Sequence, residues 1–348
     1  MSSGREENLH QAGEPPQFPY DGGVVESTHS GRWVVTPVRQ WRYRGRSRYQ
    51  RVDIGEVDFL GTCLFIDGWM QLAAVDEYVY HEHLVLPALL AHHRPERVLI
   101  LGGGDGLAVR ETLRHQAVQH VVMVDLDALV VGACRKYLAH LQQGALEDPR
   151  VYVIVGDARD FLRNPHLAFD VIIVDLVDLM PATVPLFEEV FTSVRRALRE
   201  GGLVVTHGPD PGPPLHEGLY MVAFMMGQFT HVTWYKAFVS SFSETWTFVI
   251  GSDTVDITQH PPAWWVESAS QLTSAPRSFV PEALPAMFMH SADEERMVDT
   301  IRRRGIEALP KLGAWQTAVL DRTAIAELQR MTGFRPSFPH AERSRTSP

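Results

Sequence analysis

Val98-Leu99-Ile100-Leu101-Gly102-Gly103-Gly104-Asp105-Gly106 is the stretch that decides the fold. Four apolar residues without alternation read as a strand buried on both faces. The glycines break it, and Leu107 to Arg114 begins a helix. The same rhythm repeats outward. Val121–Val124, Val151–Val155, Val171–Val174 and Leu203–Thr206 are predicted strands, with helices over Asp127–Leu138, Ala158–Arg163 and Pro185–Arg199. Apolar strands alternating with helices predict an α/β doubly wound sheet, a Rossmann-like nucleotide-binding core. His231–Phe238 and Thr245–Ile250 read as a closing strand pair.

Before this core, Trp33–Val35, Tyr49–Ile54, Val57–Leu60 and Cys63–Ile66 predict a small N-terminal antiparallel β-domain over 31–75, with Asp67-Gly68 as a turn. Asp76–His92 has helical spacing and opens a catalytic domain spanning 76–252. Residues 1–30 are expected to be a flexible arm. Residues 253–332 are expected to be a mainly helical C-terminal extension, with helices over Pro281–Met289 and Ala292–Arg304, and 333–348 a flexible tail.

The chain has 348 residues, 45% hydrophobic and 21% charged, an ordinary globular composition with room for a large core. No apolar run approaches the ~18 residues of a bilayer-spanning helix, and the first residues lack a signal-peptide pattern. Cys63 and Cys134 make no disulfide framework, which fits a reducing cytoplasm. The formal net charge of -10 disfavours nucleic acid and suits a small cationic substrate. Arg42, Arg44, Arg46 and Arg48 alternate among aromatics, which reads as the solvated face of a strand or hairpin.

Asp105, Asp125, Asp157 and Asp175 each follow or end a predicted strand. Ligands in such sheets bind beyond the strands' carboxyl ends. Gly102 and Gly104 let a ligand approach backbone, Asp125 suits ribose hydroxyls, and Asp157 suits an adenine amino group. Asp127 and Asp157 have a helix-capping alternative. A dinucleotide is the competing ligand. Asp105 inside the glycine turn would repel its pyrophosphate, whereas an S-adenosyl sulfonium brings positive charge.

From Ser47 to Ser252 the chain resembles the spermidine synthases, the polyamine aminopropyltransferases. The resemblance is carried by Ser47-Arg48-Tyr49-Gln50, Leu64–Gly68, Gln71, Asp76–Glu82, the 102–106 run, Asp125, Asp157 and the Asp175/Asp178 pair. It implies homodimers or homotetramers, no membrane partner, no metal and no tightly bound cofactor. Decarboxylated S-adenosylmethionine would be the cosubstrate and a diamine or polyamine the acceptor. By resemblance Gln50, His81, Asp105, Asp125 and Asp157 hold the donor, with Asp105 meeting its terminal amine. Asp175, Tyr80 and Gln71 face the acceptor amine, and Asp178 its distant cationic end. Asp175, assisted by Tyr80, is the expected proton acceptor as the amine attacks the carbon beside the sulfonium.

The acceptor side departs from the family pattern. Asp175-Leu176-Val177-Asp178-Leu179-Met180-Pro181-Ala182 keeps both carboxylates but loses the polar residues between them. His207 replaces a family glutamine and is a candidate acceptor contact or strand-end group. Val239–Glu244 lacks the family's tyrosine and glycine, and Ala74 stands where a glutamate is frequent. Glu244 and Asp210 are open between amine binding and solvated loop. S-adenosylmethionine-dependent N-methyl transfer and nonenzymatic polyamine binding are the alternative functions.

Overall fold

The protein is represented by a computed structural model that describes residues 20–27, 32–164, 166, 168–178, 183–212, 216–309 and 316–332. The predicted tail, most of the arm and residues 179–182 lie outside these.

Two small sheets form the N-terminal part. Strands β1 (Gly22–Ser27) and β2 (Trp33–Val38) pair antiparallel, and β3 (Gln40–Arg46), β4 (Arg51–Val57), β5 (Gly61–Ile66) and β6 (Trp69–Ala73) form an antiparallel meander. Their shared core includes Val24, Val38, Cys63, Phe65 and Met70. The predicted strand over Val57–Leu60 is the end of β4 running into a turn, where Phe59 takes a left-handed φ of 64°. Arg42, Arg44 and Arg46 are exposed along β3, as their alternation predicted.

The core sheet has the order β12-β13-β11-β10-β7-β8-β9. Strands β7 (Arg97–Gly102), β8 (His120–Asp125), β9 (Val151–Val155), β10 (Phe169–Asp175) and β11 (Leu198–Gly208) are parallel, while β12 (His231–Val239) and β13 (Glu244–Ser252) close the sheet as an antiparallel hairpin. One face is covered by α1 (Glu77–Ala91) and α2 (Leu107–Leu113). Helices α3 (Ala128–Tyr137) and α4 (Ala139–Gln142) meet the β3–β6 meander around Ile54, Leu64, Cys134 and Leu138. The other face is covered by α5 (Ala158–Leu162), α6 (Val184–Ala197) and α7 (Gly218–Met226). Both cysteines are free and buried, and no helix among the described residues is long and apolar enough to cross a membrane.

The extension begins with α8 (Pro262–Ala269) on the α1 face. The predicted helix over Pro281–Met289 is a 3-10 turn followed by α9 (Leu284–Met287), because Pro285 favours a helix start over a helix interior. Helix α10 (Ala292–Arg304) has the predicted bounds and a Ser291/Glu294 capping box. The extension then leaves the helical pattern. Strand β14 (Thr317–Asp321) pairs with β1, and α11 (Arg322–Thr332) follows. Two domain assignments are therefore corrected. Residues 22–27 of the supposed arm are a strand, and the mainly helical extension completes an N-terminal sheet. The partners lie about 300 residues apart, and pattern reading sees only local periodicity.

Helix α1 is buried almost throughout, although its sequence spacing suggests only one apolar face. It lies between the sheet and the extension, whose Trp264 Nε1 and His260 Nε2 donate to the carbonyls of Leu90 (2.9 Å) and Ala91 (3.1 Å). Charges on a buried helix need partners. Glu82 has no solvent exposure and accepts the backbone N–H groups of Arg277, Ser278 and Phe279 at 2.7–3.0 Å, together with Arg114 Nη1 at 3.0 Å. Glu82→Gln turns an amide donor toward this array. It should lower the unfolding free energy by about 3 kcal/mol in denaturant titration, as for a broken buried ion pair.

Candidate functional site

The carboxyl ends of β7, β8 and β10 meet in one cleft, and the glycine turn lets them close together. Gly102 has φ +82°, and a Cβ there would lie 1.9 Å from the Asp175 carbonyl oxygen, whose lone pair accepts Gly103 N–H. A Cβ on Gly104 would lie 2.5 Å from Asp125 Oδ2. The turn therefore brings backbone within reach of the two strand-end aspartates.

Helix α1 presents Tyr80 and His81 to the same cleft. Tyr80 Oη donates to Asp175 Oδ1 at 2.8 Å. His81 Nε2 is 3.7 Å from Asp105 Oδ1, and its Nδ1 is 2.7 Å from the Glu77 carbonyl and 3.4 Å from Glu77 Oε2. Burial opposes a charge on this imidazole, but Asp105 and Glu77 outweigh it and raise its pKa to about 10. Burial likewise works against Glu77, yet His81 and Arg110 bring its carboxyl down to about 2. Burial and the negative charge of Asp105 push Asp175 upward, against the pull of His207, His81 and the Tyr80 hydroxyl. The Tyr80 phenol is driven well above its usual range by burial and by Asp175, so it stays a donor.

Ligand atoms of His81, Asp105 and Asp175 lie within 4.8 Å of one another, a spacing a metal ion could bridge. A cationic His81 between two carboxylates offers no lone pair to a metal, whereas Asp105 and Asp175 both remain able to accept hydrogen bonds from an ammonium group.

Asp125 accepts Asp127 N–H at 2.8 Å, and burial raises its carboxyl to about 6. Asp127 is the cap of α3, accepting Leu129 N–H at 2.9 Å, as its alternative reading held. Its second oxygen receives Ser47 Oγ at 2.6 Å and Gln50 Nε2 at 3.2 Å. Gln50 is thus tied to the α3 cap, two residues beyond Asp125. Asp157 caps α5 through Arg159 N–H at 2.8 Å and pairs with the Arg159 guanidinium, which lowers its carboxyl.

The expected acceptor residues divide. Asp178 is half-buried, three residues beyond Asp175. Gln71 is half-buried on β6, its amide donating to the Trp69 carbonyl at 3.3 Å. Of the two readings of His207, its hydrogen bonds fit the strand-end group. Its Nδ1 accepts Trp246 Nε1–H at 3.3 Å, which leaves the proton on Nε2, and Nε2 donates to the Leu176 carbonyl at 2.9 Å. Both nitrogens are engaged in holding the segment after Asp175. Glu244 is buried rather than solvated, and burial raises the half-buried Asp210, with Glu244 adding to the effect.

Glu26 lies on β1, within residues whose sequence suggests an arm, and is not among the candidate residues of the sequence. Its Oε2 accepts Met70 N–H at 3.3 Å, beside Gln71. Burial raises its carboxyl to about 7, and the negative charges of Glu244 and Asp178 act in the same direction against the Met70 N–H. The only sequence signal was a glutamate closing the short run Val24-Val25.

A family model described as the spermine/spermidine synthase domain matches residues 77–260. A polyamine aminopropyltransferase of Hyperthermus butylicus is 41% identical over 238 residues, covering 67% of this chain and 77% of the relative. One from Pseudomonas aeruginosa is 37% identical over 251 residues, covering 69% of this chain and 71% of its own. The crystal structure of spermidine synthase from Thermotoga maritima superposes with a TM-score of 0.70 at 26% identity, covering 83% of this chain and 96% of its own. A spermidine synthase in complex with the transition-state analogue AdoDATO gives 0.72 at 26% identity, covering 83% and 97%. With the family domain filling more than half of the chain and the glycine turn, Tyr80, His81 and the strand-end aspartates gathered in one cleft, the protein belongs to the spermine/spermidine synthase family.

Proposed function

We propose that the cleft transfers the aminopropyl group of decarboxylated S-adenosylmethionine to a primary amine of a diamine or polyamine and releases methylthioadenosine. The observation that carries this reading is the contact of Tyr80 with Asp175 at 2.8 Å beside the His81–Asp105 pair. Asp125 holds the donor ribose, Asp157 its adenine, and Gln50 supports that end through Asp127. Gly102 and Gly104 admit the nucleoside to the backbone. Asp105 takes the terminal ammonium of the donor. The carboxylate of ordinary S-adenosylmethionine would meet like charge there, which argues against methyl transfer.

Asp175 and Tyr80 orient the acceptor amine, and Asp175 takes its proton. The nitrogen lone pair attacks the carbon next to sulfur, and the C–S bond breaks with its electrons passing to sulfur. The sulfonium leaves as a neutral thioether, so no oxyanion needs stabilising. Burial makes Asp175 a stronger base than an ordinary carboxylate, and alignment of nitrogen, carbon and sulfur supplies much of the acceleration. Asp178, Gln71, Glu26 and Glu244 flank the acceptor's distal end, which favours an acceptor with more than one ammonium group. The proposal includes a cytoplasmic homodimer or homotetramer, consistent with two free buried cysteines and with the family resemblance.

Incubation with both donors and a panel of di- and polyamines, followed by mass spectrometry, tests the reaction. Aminopropylated amine and methylthioadenosine are expected; methylated amine with S-adenosylhomocysteine would overturn it. Asp175→Asn should lower kcat by about 100-fold or more, the scale of lost general-base catalysis. Methylthioadenosine affinity, read by calorimetry, should move little.

The acceptor side also has a pH signature. Glu26 titrates at about 7, and a distal ammonium binds only its ionised form. Acceptor KM should therefore fall as pH rises through 7, by up to about tenfold between pH 6 and pH 8. Glu26→Gln should raise KM and flatten this dependence; an unchanged profile would remove Glu26 from the acceptor subsite.

A further inference from the structure

The strand that carries Glu26 is held from its far side by the C-terminal extension. Five register pairs join β1 to β14, from Gly22↔Asp321 to Glu26↔Thr317. Ser27, next to Glu26, donates its N–H to the Gln316 carbonyl at 3.0 Å and receives Gln316 N–H on Oγ at 3.0 Å. Thr317 then reaches across to the meander, its hydroxyl donating to the Asp67 carbonyl at 2.8 Å. Asp67 and Gly68 form the turn between β5 and β6, and two residues further Met70 N–H holds Glu26 Oε2. The contacts close a ring running from Glu26 through Thr317, the Asp67 turn and Met70 back to Glu26. Helix α11 presses on the same strand. Ile325 is 1% exposed, and a Cβ on Gly23 would lie 2.6 Å from its Cδ1. Arg322 Nε donates to the Tyr20 carbonyl at 3.2 Å, one residue before the strand's approach.

We propose that β14 and α11 of the C-terminal extension are an acceptor-specificity element: by bracing β1 against the β5–β6 turn they fix Glu26 at the distal end of the amine site. This rests on the acceptor reading of Glu26. Without β14, β1 keeps β2 as its one sheet neighbour, and Glu26 is left with its Val34 register partner and the single 3.3 Å bond from Met70 N–H. A binding group must sit within about 0.5 Å of its productive place to discriminate between ligands. The extension supplies that constraint from outside the family-matched residues 77–260. The ligand class is a di- or polyamine whose distal ammonium lies a fixed distance from the attacking nitrogen.

The test uses the full chain. Thr317→Val removes the hydroxyl tie and keeps a β-branched residue, and Ala318→Pro, opposite Val25 in the register, removes a ladder donor. Steady-state kinetics with diamines and triamines of increasing length are compared with methylthioadenosine binding by calorimetry. Both variants should raise acceptor KM about fivefold and narrow the preference among acceptor lengths, with methylthioadenosine affinity unchanged. Ala318→Pro should add nothing further in a Glu26→Gln background. Unchanged acceptor KM in both variants, equal losses of acceptor and nucleoside binding, or full additivity with Glu26→Gln would overturn the proposal. If Ala318→Pro does not fold, Thr317→Val decides alone. If Glu26→Gln itself leaves acceptor KM unchanged, the acceptor role of Glu26 fails and the proposal with it. A clear Glu26→Gln effect with silent β14 variants rejects the bracing alone.

Discussion

Helix α1 carries Glu77, His81 and Glu82 into an interior where none of them can be left uncompensated. Its partners come from every part of the molecule. Arg110 of α2 grips Glu77 with two bonds at 2.9 and 2.8 Å, Arg114 and the 277–279 backbone hold Glu82, and Asp105 of the glycine turn faces His81. The helix is held jointly by α2, the glycine turn and the extension. That joint hold fixes the position of Tyr80, one residue from His81, and through it the Asp175 carboxylate. The site is thus positioned from behind by the Glu77–Arg110 and Glu82–Arg114 ion pairs, to which no substrate contact is assigned.

The same cleft concentrates negative charge. Asp105, Asp125 and Asp175 are brought together by the doubly wound topology, and burial raises Asp125 and Asp175 because solvent no longer stabilises their ionised forms. Such an arrangement is costly when empty and is relieved by cations. A sulfonium nucleoside with a terminal ammonium and an amine with several charges are the ligands that relieve it. His81, protonated between Glu77 and Asp105, tempers the charge at one point without closing the site to an ammonium. Polarity therefore discriminates against phosphate-bearing nucleotides before shape is considered.

The core was legible in the sequence because its signals are local. Val98–Leu101 with its glycine break, the aspartates at successive strand ends and the Asp76–Glu82 motif each lie within a few residues. Helix α10 was placed correctly for the same reason, since Ser291 and Glu294 mark its start. Strands β1 and β14 were not legible. Each is short, and although β1 also pairs with the nearby β2, the ladder that joins β1 to β14 spans hundreds of residues, so no periodicity distinguishes either from loop. Glu26 was lost with its strand. Helix α7 also went unread, since Gly218–Met226 is apolar on nearly every side and shows no face. The role of His207 required coordinates, because the residue type is equally suited to amine binding and to pinning a carbonyl. Only the Trp246 N–H on Nδ1 decides between them.

The two ends of the proposed donor site are built with different stiffness. At the reacting end Tyr80 is buried, Asp175 is largely covered, and the Asp175 carbonyl accepts Gly103 N–H, so neither group moves without disturbing the sheet. At the adenine end, Asp157 pairs with Arg159 where both side chains remain partly exposed, at 25% and 41%. An ion pair in that setting contributes on the order of 1 kcal/mol or less and opens readily. An incoming adenine amino group can take one Asp157 oxygen while the other keeps the α5 cap. In that proposed site, rearrangement at the adenine end costs little, whereas the carboxylates at the reacting end are held fixed. Rate enhancement by alignment requires that division, because an error of about 1 Å at the attacking nitrogen costs far more than the same error at the base.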